Sequence, residues 1–166
     1  MSKINFKKIF LNFITILIIF LSDRISKLYI LKIAELENKV DIYITSYLNL
    51  YLIWNKGIAF GLLSFNETLI YNIITLLIFI LIIVIIIITL KSEGLKKYSL
   101  ILVLGGSLGN FFDRVYYSAV PDFIDFHVND FHWFIFNVAD IFITLGIICL
   151  IYVEIFYNNK KNEKNY

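Results

Sequence analysis

The run LLIFILIIVIIIITL, Leu76–Leu90, carries no charged side chain, and none occurs before it back to Glu67. A run this apolar has few ways to fold. The hydrocarbon core of a bilayer is about 30 Å thick, and roughly 20 apolar residues cross it as a helix. Such a density of Ile and Val lowers helix propensity in water. In lipid every backbone N–H and C=O must find its partner within the chain, so the helix is favoured there. The span is expected over about 69–90. Three further stretches are long enough to cross, at about 9–31, 98–117 and 133–157. The chain is 60% hydrophobic, against about 45–50% in soluble domains, which excludes an ordinary soluble domain. The expected fold class is an all-α membrane protein, one integral membrane domain over 1–166. It has four transmembrane helices and a small extracytoplasmic β-rich loop domain between spans one and two. Asp23, Arg24 and Lys27 interrupt the first apolar run and no small-residue cleavage site follows it, so a retained span is expected rather than a cleaved leader.

The basic residues orient these spans. Lys3, Lys7 and Lys8 precede span one; Lys91, Lys96 and Lys97 separate spans two and three; Lys160, Lys161 and Lys164 follow span four. With four crossings all of them share one side, which the positive-inside rule makes the cytoplasm. Both termini are then cytoplasmic, with 158–166 (NNKKNEKNY after Tyr157) as a disordered polar tail. The outer loops are about 32–68 and 118–132. The first contains VDIYITSYLNLYLIW, rich in β-branched and aromatic residues, and is expected to form short strands at the membrane surface.

Topology also decides where the polar residues meet. Spans one and three run outward, bringing Asp23, Asn110 and Asp113 into the outer half of the bilayer. Span four runs inward, with Asn137 and Asp140 near its start and Asp140 roughly 10 Å below it. Asn137, Asp140 and Thr144 are spaced i, i+3, i+7 and share a helix face, as do Gly106, Asn110 and Asp113. Gly105 and Gly109 form a small-xxx-small pair that permits close helix contact. A carboxylate near the middle of a span costs about 2.5–3.5 kcal/mol on insertion scales, so an intramembrane aspartate points to function. Asp122, after Pro121 in the loop before span four, is near enough in sequence to face Asp140. Two carboxylates forced together share a proton. One then acts as a base on water, and the other as an acid on the leaving amine.

Other chemistries have less support. His127 and His132 lack the HExxH spacing of a zinc peptidase and read as interfacial loop residues, so no metal and no cofactor are expected. Asp125 and Asp130 read as groups that solvate the outer loop. No GxSxG motif or phosphate-binding loop occurs. Cys149 stands alone, so no internal disulfide can form. The alternative class is a proton- or ion-coupled membrane transporter, since intramembrane carboxylates also mark ion pathways. Against it, the carboxylates lie at one depth and span two is wholly apolar.

Five blocks in order carry a resemblance to a known family: SDRISK (Ser22–Lys27), NKGIAFGLL (Asn55–Leu63), GGSLGNFFDRV (Gly105–Val115), VPDFIDF (Val120–Phe126) and FNVAD (Phe136–Asp140). The chain resembles the bacterial lipoprotein signal peptidases, the type II signal peptidases. That resemblance implies an aspartic endopeptidase of the bacterial cytoplasmic (inner) membrane, with its site near the outer face. Its substrates would be diacylglyceryl-modified prolipoproteins, met among membrane lipid and cut just before the lipidated cysteine. The implied catalytic pair is Asp122 and Asp140. Asp23, Lys27, Asn55, Gly106, Asn110, Asp113, Arg114, Asn137 and Ala139 match recurrent positions that bind substrate or support the site. No nucleic acid is implied, and a monomer is expected.

Some roles stay open at this stage. Asp23 and Lys27, at i, i+4, suit an ion pair as well as substrate contact. Arg114 suits an interface anchor, and Asn110 and Asp113 suit interhelical hydrogen bonding. Arg24 and Ser26 stand where the family usually has glutamine and threonine, and Pro121 where valine is common. Arg24 is expected to snorkel outward.

Overall fold

The computed structural model describes residues 6–57, 68–129 and 131–157. Lys3, Asp130, the polar tail and residues 58–63 of the NKGIAFGLL block therefore lie outside the described residues. The order of elements is α1 (Phe6–Glu37), β1 (Asp41–Thr45), β2 (Leu48–Asn55), α2 (Thr68–Lys91), α3 (Gly94–Tyr117), β3 (Val120–Val128), β4 (Phe131–Phe136) and α4 (Val138–Tyr152). A π-helical turn, Val153–Tyr157, extends α4.

Among the described residues, three helical segments are long and apolar enough to cross a membrane: Phe6–Glu37, Thr68–Lys91 and Val138–Phe156. The protein is thus a multi-pass, mostly helical membrane protein. α3 is as long as α2, with 24 residues, but is not as apolar. Its sequence carries Lys96, Lys97, Gly105, Gly106, Gly109, Asn110, Asp113 and Arg114, and it packs against α1, α2 and α4. A central helix faces protein on most sides, so it can carry polar and small residues that lipid would penalise. α2 has the opposite character. It leaves Leu69, Ile73, Leu76, Leu77, Ile80 and Leu81 exposed, as a helix bathed in lipid tails can.

Close helix crossings rest on glycine. A Cβ at Gly105 would lie 2.9 Å from Ile19 of α1, and one at Gly109 would lie 2.5 Å from the Asp23 carboxylate. On the other side of α3, a Cβ at Gly106 would collide with the backbone carbonyl of Ala139 in α4. The small-xxx-small pair therefore serves α1, while Gly106 serves α4.

The strands form one antiparallel sheet in the order β1-β2-β3-β4. The expected hairpin in Val40–Trp54 is present as β1 and β2. The sheet is larger than expected, because β3 and β4 come from the segment between α3 and α4. Ser118, in the left-handed region at φ 56°, ends α3 and turns the chain into β3. Pro121 pairs only with Trp54 of β2, since β4 joins β3 from Ile124 onward. A proline without an N–H is tolerated at such a strand start. Beneath the sheet, Val40 and Phe123 pack with Ile30 of α1.

The boundary of the last span is corrected. Trp133–Phe136 belong to β4, and helix begins at Val138. Asn137 is the reason: its side chain accepts from the Asp140 N–H while its own N–H is accepted by the Asp140 carboxylate, a reciprocal capping box. Asp140 consequently sits in the first turn of α4 and not about 10 Å below its start.

Candidate active site

Four elements deliver the site. Asn55 ends β2, Asn110 lies in α3, Asp122 lies in β3, and Asn137 and Asp140 open α4. Each aspartate oxygen has its own donor. Asn137 Nδ2 donates to Asp122 Oδ1 at 2.6 Å and Asn55 Nδ2 to Asp122 Oδ2 at 2.9 Å. Asn110 Nδ2 donates to Asp140 Oδ1 at 2.8 Å, and the Asn137 backbone N–H to Asp140 Oδ2 at 3.1 Å. All four donors are neutral amides. Asn137 touches both carboxylates, which couples the capping of α4 to the placement of Asp122.

The amides are themselves oriented. Asn55 Oδ1 accepts from the Gly57 N–H at 2.8 Å, and Asn110 Oδ1 accepts from Lys27 Nζ at 2.9 Å. An amide whose oxygen is committed in this way presents its NH₂ to the carboxylate. The ammonium of Lys27 thus reaches Asp140 through Asn110 and makes its direct bonds elsewhere.

Those bonds form a buried ion network behind the site. Lys27 Nζ lies 2.9 Å from Asp23 and 2.6 Å from Asp113, and Arg24 lies 2.5 Å from Asp113. Asp23, Arg24, Lys27 and Asp113 are all buried. Two acids and two bases balance, as buried charges require. Asp23 also accepts from the Ala139 N–H at 3.0 Å, satisfying an orphan donor of the first turn of α4. The i, i+4 pair is confirmed as an ion pair. Arg24 does not snorkel: it turns inward, 4.9 Å over the Phe112 ring.

Electrostatics follow from this layout. Asp122 is pushed up to about 7, first by burial and then by the Asp140 charge, while the Asn55 and Asn137 bonds pull the other way. Neutral donors stabilise a carboxylate without holding it ionised as a cation at contact would. Near neutral pH this site can hold one proton on two carboxyl groups.

A cavity of about 460 Å³ adjoins the pair. Its polar end presents Asp122, Asp140, Asn55, Asn110 and Arg114, and its remaining wall includes Ile78, Ile82 and Ile85 of α2 and Ile143 and Ile147 of α4. Arg114 is buried, donates to the Gly57 carbonyl, and keeps Nη1 without a hydrogen-bond partner. It is a wall residue and not an interface anchor.

The predicted residues therefore divide four ways. Asp122, Asp140, Asn55, Asn110 and Asn137 meet at the carboxyl pair. Asp23, Lys27 and Asp113 stand behind it. Gly106 and Ala139 let α3 and α4 approach, and Arg114 faces the cavity. Sequence reasoning missed Arg24 as a network member and the α2 wall. In a run where nearly every position is Ile, Leu or Val, no residue marks the side that faces the cavity.

The family model described as signal peptidase (SPase) II matches residues 15–156. A lipoprotein signal peptidase of Pelagibacter ubique (strain HTCC1062) is 61% identical over 99% of this chain and 100% of the relative. One from Anaplasma phagocytophilum (strain HZ) is 37% identical over 96% of this chain and 99% of its own. A solved bacterial membrane enzyme superposes with a TM-score of 0.69 at 26% identity, covering 90% of each chain.

Proposed function

The chain belongs to the signal peptidase II family, and from that premise we propose that Asp122 and Asp140 are its catalytic pair. The protein is an aspartic peptidase that processes prolipoproteins, which sets the transporter alternative aside. One carboxyl is ionised and takes a proton from water as the water attacks the scissile carbonyl. The other is protonated and gives its proton to the leaving amine. The observation that carries this reading is the set of four neutral donors on the pair, with Lys27 bonded instead to Asp23, Asn110 and Asp113.

The finer substrate reading is a prolipoprotein whose cysteine bears diacylglycerol, cut just before that residue. The cavity supports it, because a carboxyl-lined end continues into an aliphatic wall, and the substrate likewise has a peptide bond beside acyl chains. The unpartnered Arg114 Nη1 is a donor suited to a substrate backbone carbonyl. The topology reading is a chain crossing four times, α3 included, in the bacterial cytoplasmic membrane. Its termini are cytoplasmic and the carboxyl pair lies near the outer face. The test is incubation of purified protein with a diacylglyceryl-modified prolipoprotein and with its unmodified form. Mass spectrometry should find a mature chain beginning at the lipidated cysteine from the first and no product from the second. A cut at another bond, or equal cutting of the unmodified form, overturns the substrate reading.

A further inference from the structure

The sheet carries a second cluster of titratable side chains, outside the carboxyl pair. Asp125 and His127 are two apart on β3, so they share a face. His132 pairs across the hairpin with His127, after a register shift between Phe126 and His127. His132 Nδ1 lies 3.0 Å and 2.8 Å from the two oxygens of Asp125. His127 Nδ1 lies 3.6 Å from Asp125 Oδ2. One ligand atom from each residue falls within 4.8 Å of the other two. The expectation that Asp125 solvates a loop is corrected: it is buried.

Two polar atoms here lack partners. The His127 side chain is only 10% exposed, and its Nδ1 makes no hydrogen bond. Asn49 stands directly opposite Asp125 on β2, and its buried Oδ1 is also without a partner. Cross-strand neighbours point to the same face. A buried imidazole nitrogen, a buried carboxylate and an amide oxygen gathered on one face form an acceptor-rich pocket that a cation would satisfy.

We propose that Asp125, His127 and His132 bind a divalent transition-metal ion of the zinc class through one carboxylate oxygen and two Nδ1 atoms. Bonds of about 2.0–2.2 Å in a tetrahedral site set the ligands about 3.3–3.6 Å apart, and Asp125 Oδ2 already lies 2.8 Å and 3.6 Å from the two Nδ1 atoms. The proton on His132 Nδ1 moves to the other ring nitrogen when the metal replaces the Asp125 bond. His132 is half exposed, so the fourth position opens to solvent. Imidazole nitrogens favour zinc over magnesium, which takes oxygen ligands. The missing HExxH spacing does not count against this site, because that pattern belongs to a helix and these ligands lie on a hairpin. The ion clips β3 to β4, three residues from Asp122, and is separate from the carboxyl pair.

The test is calorimetric titration of the full chain, without a polyhistidine tag and in detergent, with Zn²⁺ alone. Wild type should bind one ion per chain and gain thermal stability from it, and a Mg²⁺ excess should not compete. His132→Ala, at a half-exposed position, should weaken binding at least about tenfold and abolish the thermal gain. A protein with both Asp122→Asn and Asp140→Asn should bind as wild type does. Absence of Zn²⁺ binding, unchanged affinity in His132→Ala, or loss of affinity in the double variant overturns the proposal.

Discussion

Asn137 is where residue-scale chemistry concentrates, because its amide, backbone N–H and side-chain oxygen serve Asp122, Asp140 and the helix start together. Asn137→Ala removes a hydrogen bond to a carboxyl group worth about 1.5–3 kcal/mol, so turnover should fall roughly 10–100-fold. It also removes a helix cap worth about 1 kcal/mol, lowering the melting temperature. Steady-state cleavage and thermal unfolding check the two effects separately. Lys27→Met leaves Asp23 and Asp113 without their shared ammonium. Breaking a buried pair this way costs about 3–5 kcal/mol, so the variant should lose stability before it loses anything specific to substrate. The pH dependence has a definite sign. A carboxyl raised to about 7 is protonated below that pH and ionised above it. The pair then loses its shared proton, and with it the acid, as pH rises through about 7. The titration belongs to the pair as a unit. A plot of log(kcat/KM) should decline above that pH with a slope near −1, and a flat profile to pH 9 would contradict it.

Glycine governs the contacts between elements. Gly106→Ala would drive a methyl group into the Ala139 carbonyl at the start of α4. Overpacking of this kind costs about 1–3 kcal/mol, and here it also moves Asp140 relative to Asn110. Both melting temperature and turnover should fall in detergent-purified protein. How far each element could be read in the sequence depends on its surroundings. α2 was legible because lipid demands one residue type throughout, and its bounds lie within a residue of those expected. β1 and β2 were legible from their β-branched and aromatic residues. β3 was not: VPDFIDFHV carries a proline and two aspartates, marks of a loop, yet those aspartates are buried. Trp133–Phe136 of β4 fell within the expected span four because WFIF is continuous in apolar character with the helix after it. Only Asn137, a capping residue just before an apolar run, marked the break. Arg24 was misread because snorkelling depends on what lies beside it, and its partner Asp113 is far away in sequence.

The whole molecule joins a membrane bundle to a four-stranded sheet, and the carboxyl pair belongs to both. Asp122 comes from β3, Asp140 from α4, and their donors from β2, α3 and the start of α4. Order along the chain carried this convergence as a matter of depth, whereas the particular donor on each oxygen required the fold. The proposed four-crossing topology predicts that reporters fused at both termini report the cytoplasmic side, and that cysteines introduced at exposed Tyr43 and Trp133 are labelled from outside. Opposite sides for the two termini would contradict it. The proposed catalytic unit is the pair Asp122 and Asp140 acting together. It is tested most directly by cleavage of a diacylglyceryl-modified prolipoprotein, followed as a gel shift, by wild type, Asp122→Asn and Asp140→Asn proteins of equal thermal stability. Wild type should process the substrate and neither variant should; processing at the wild-type rate by either one overturns the pairing of the two carboxyl groups.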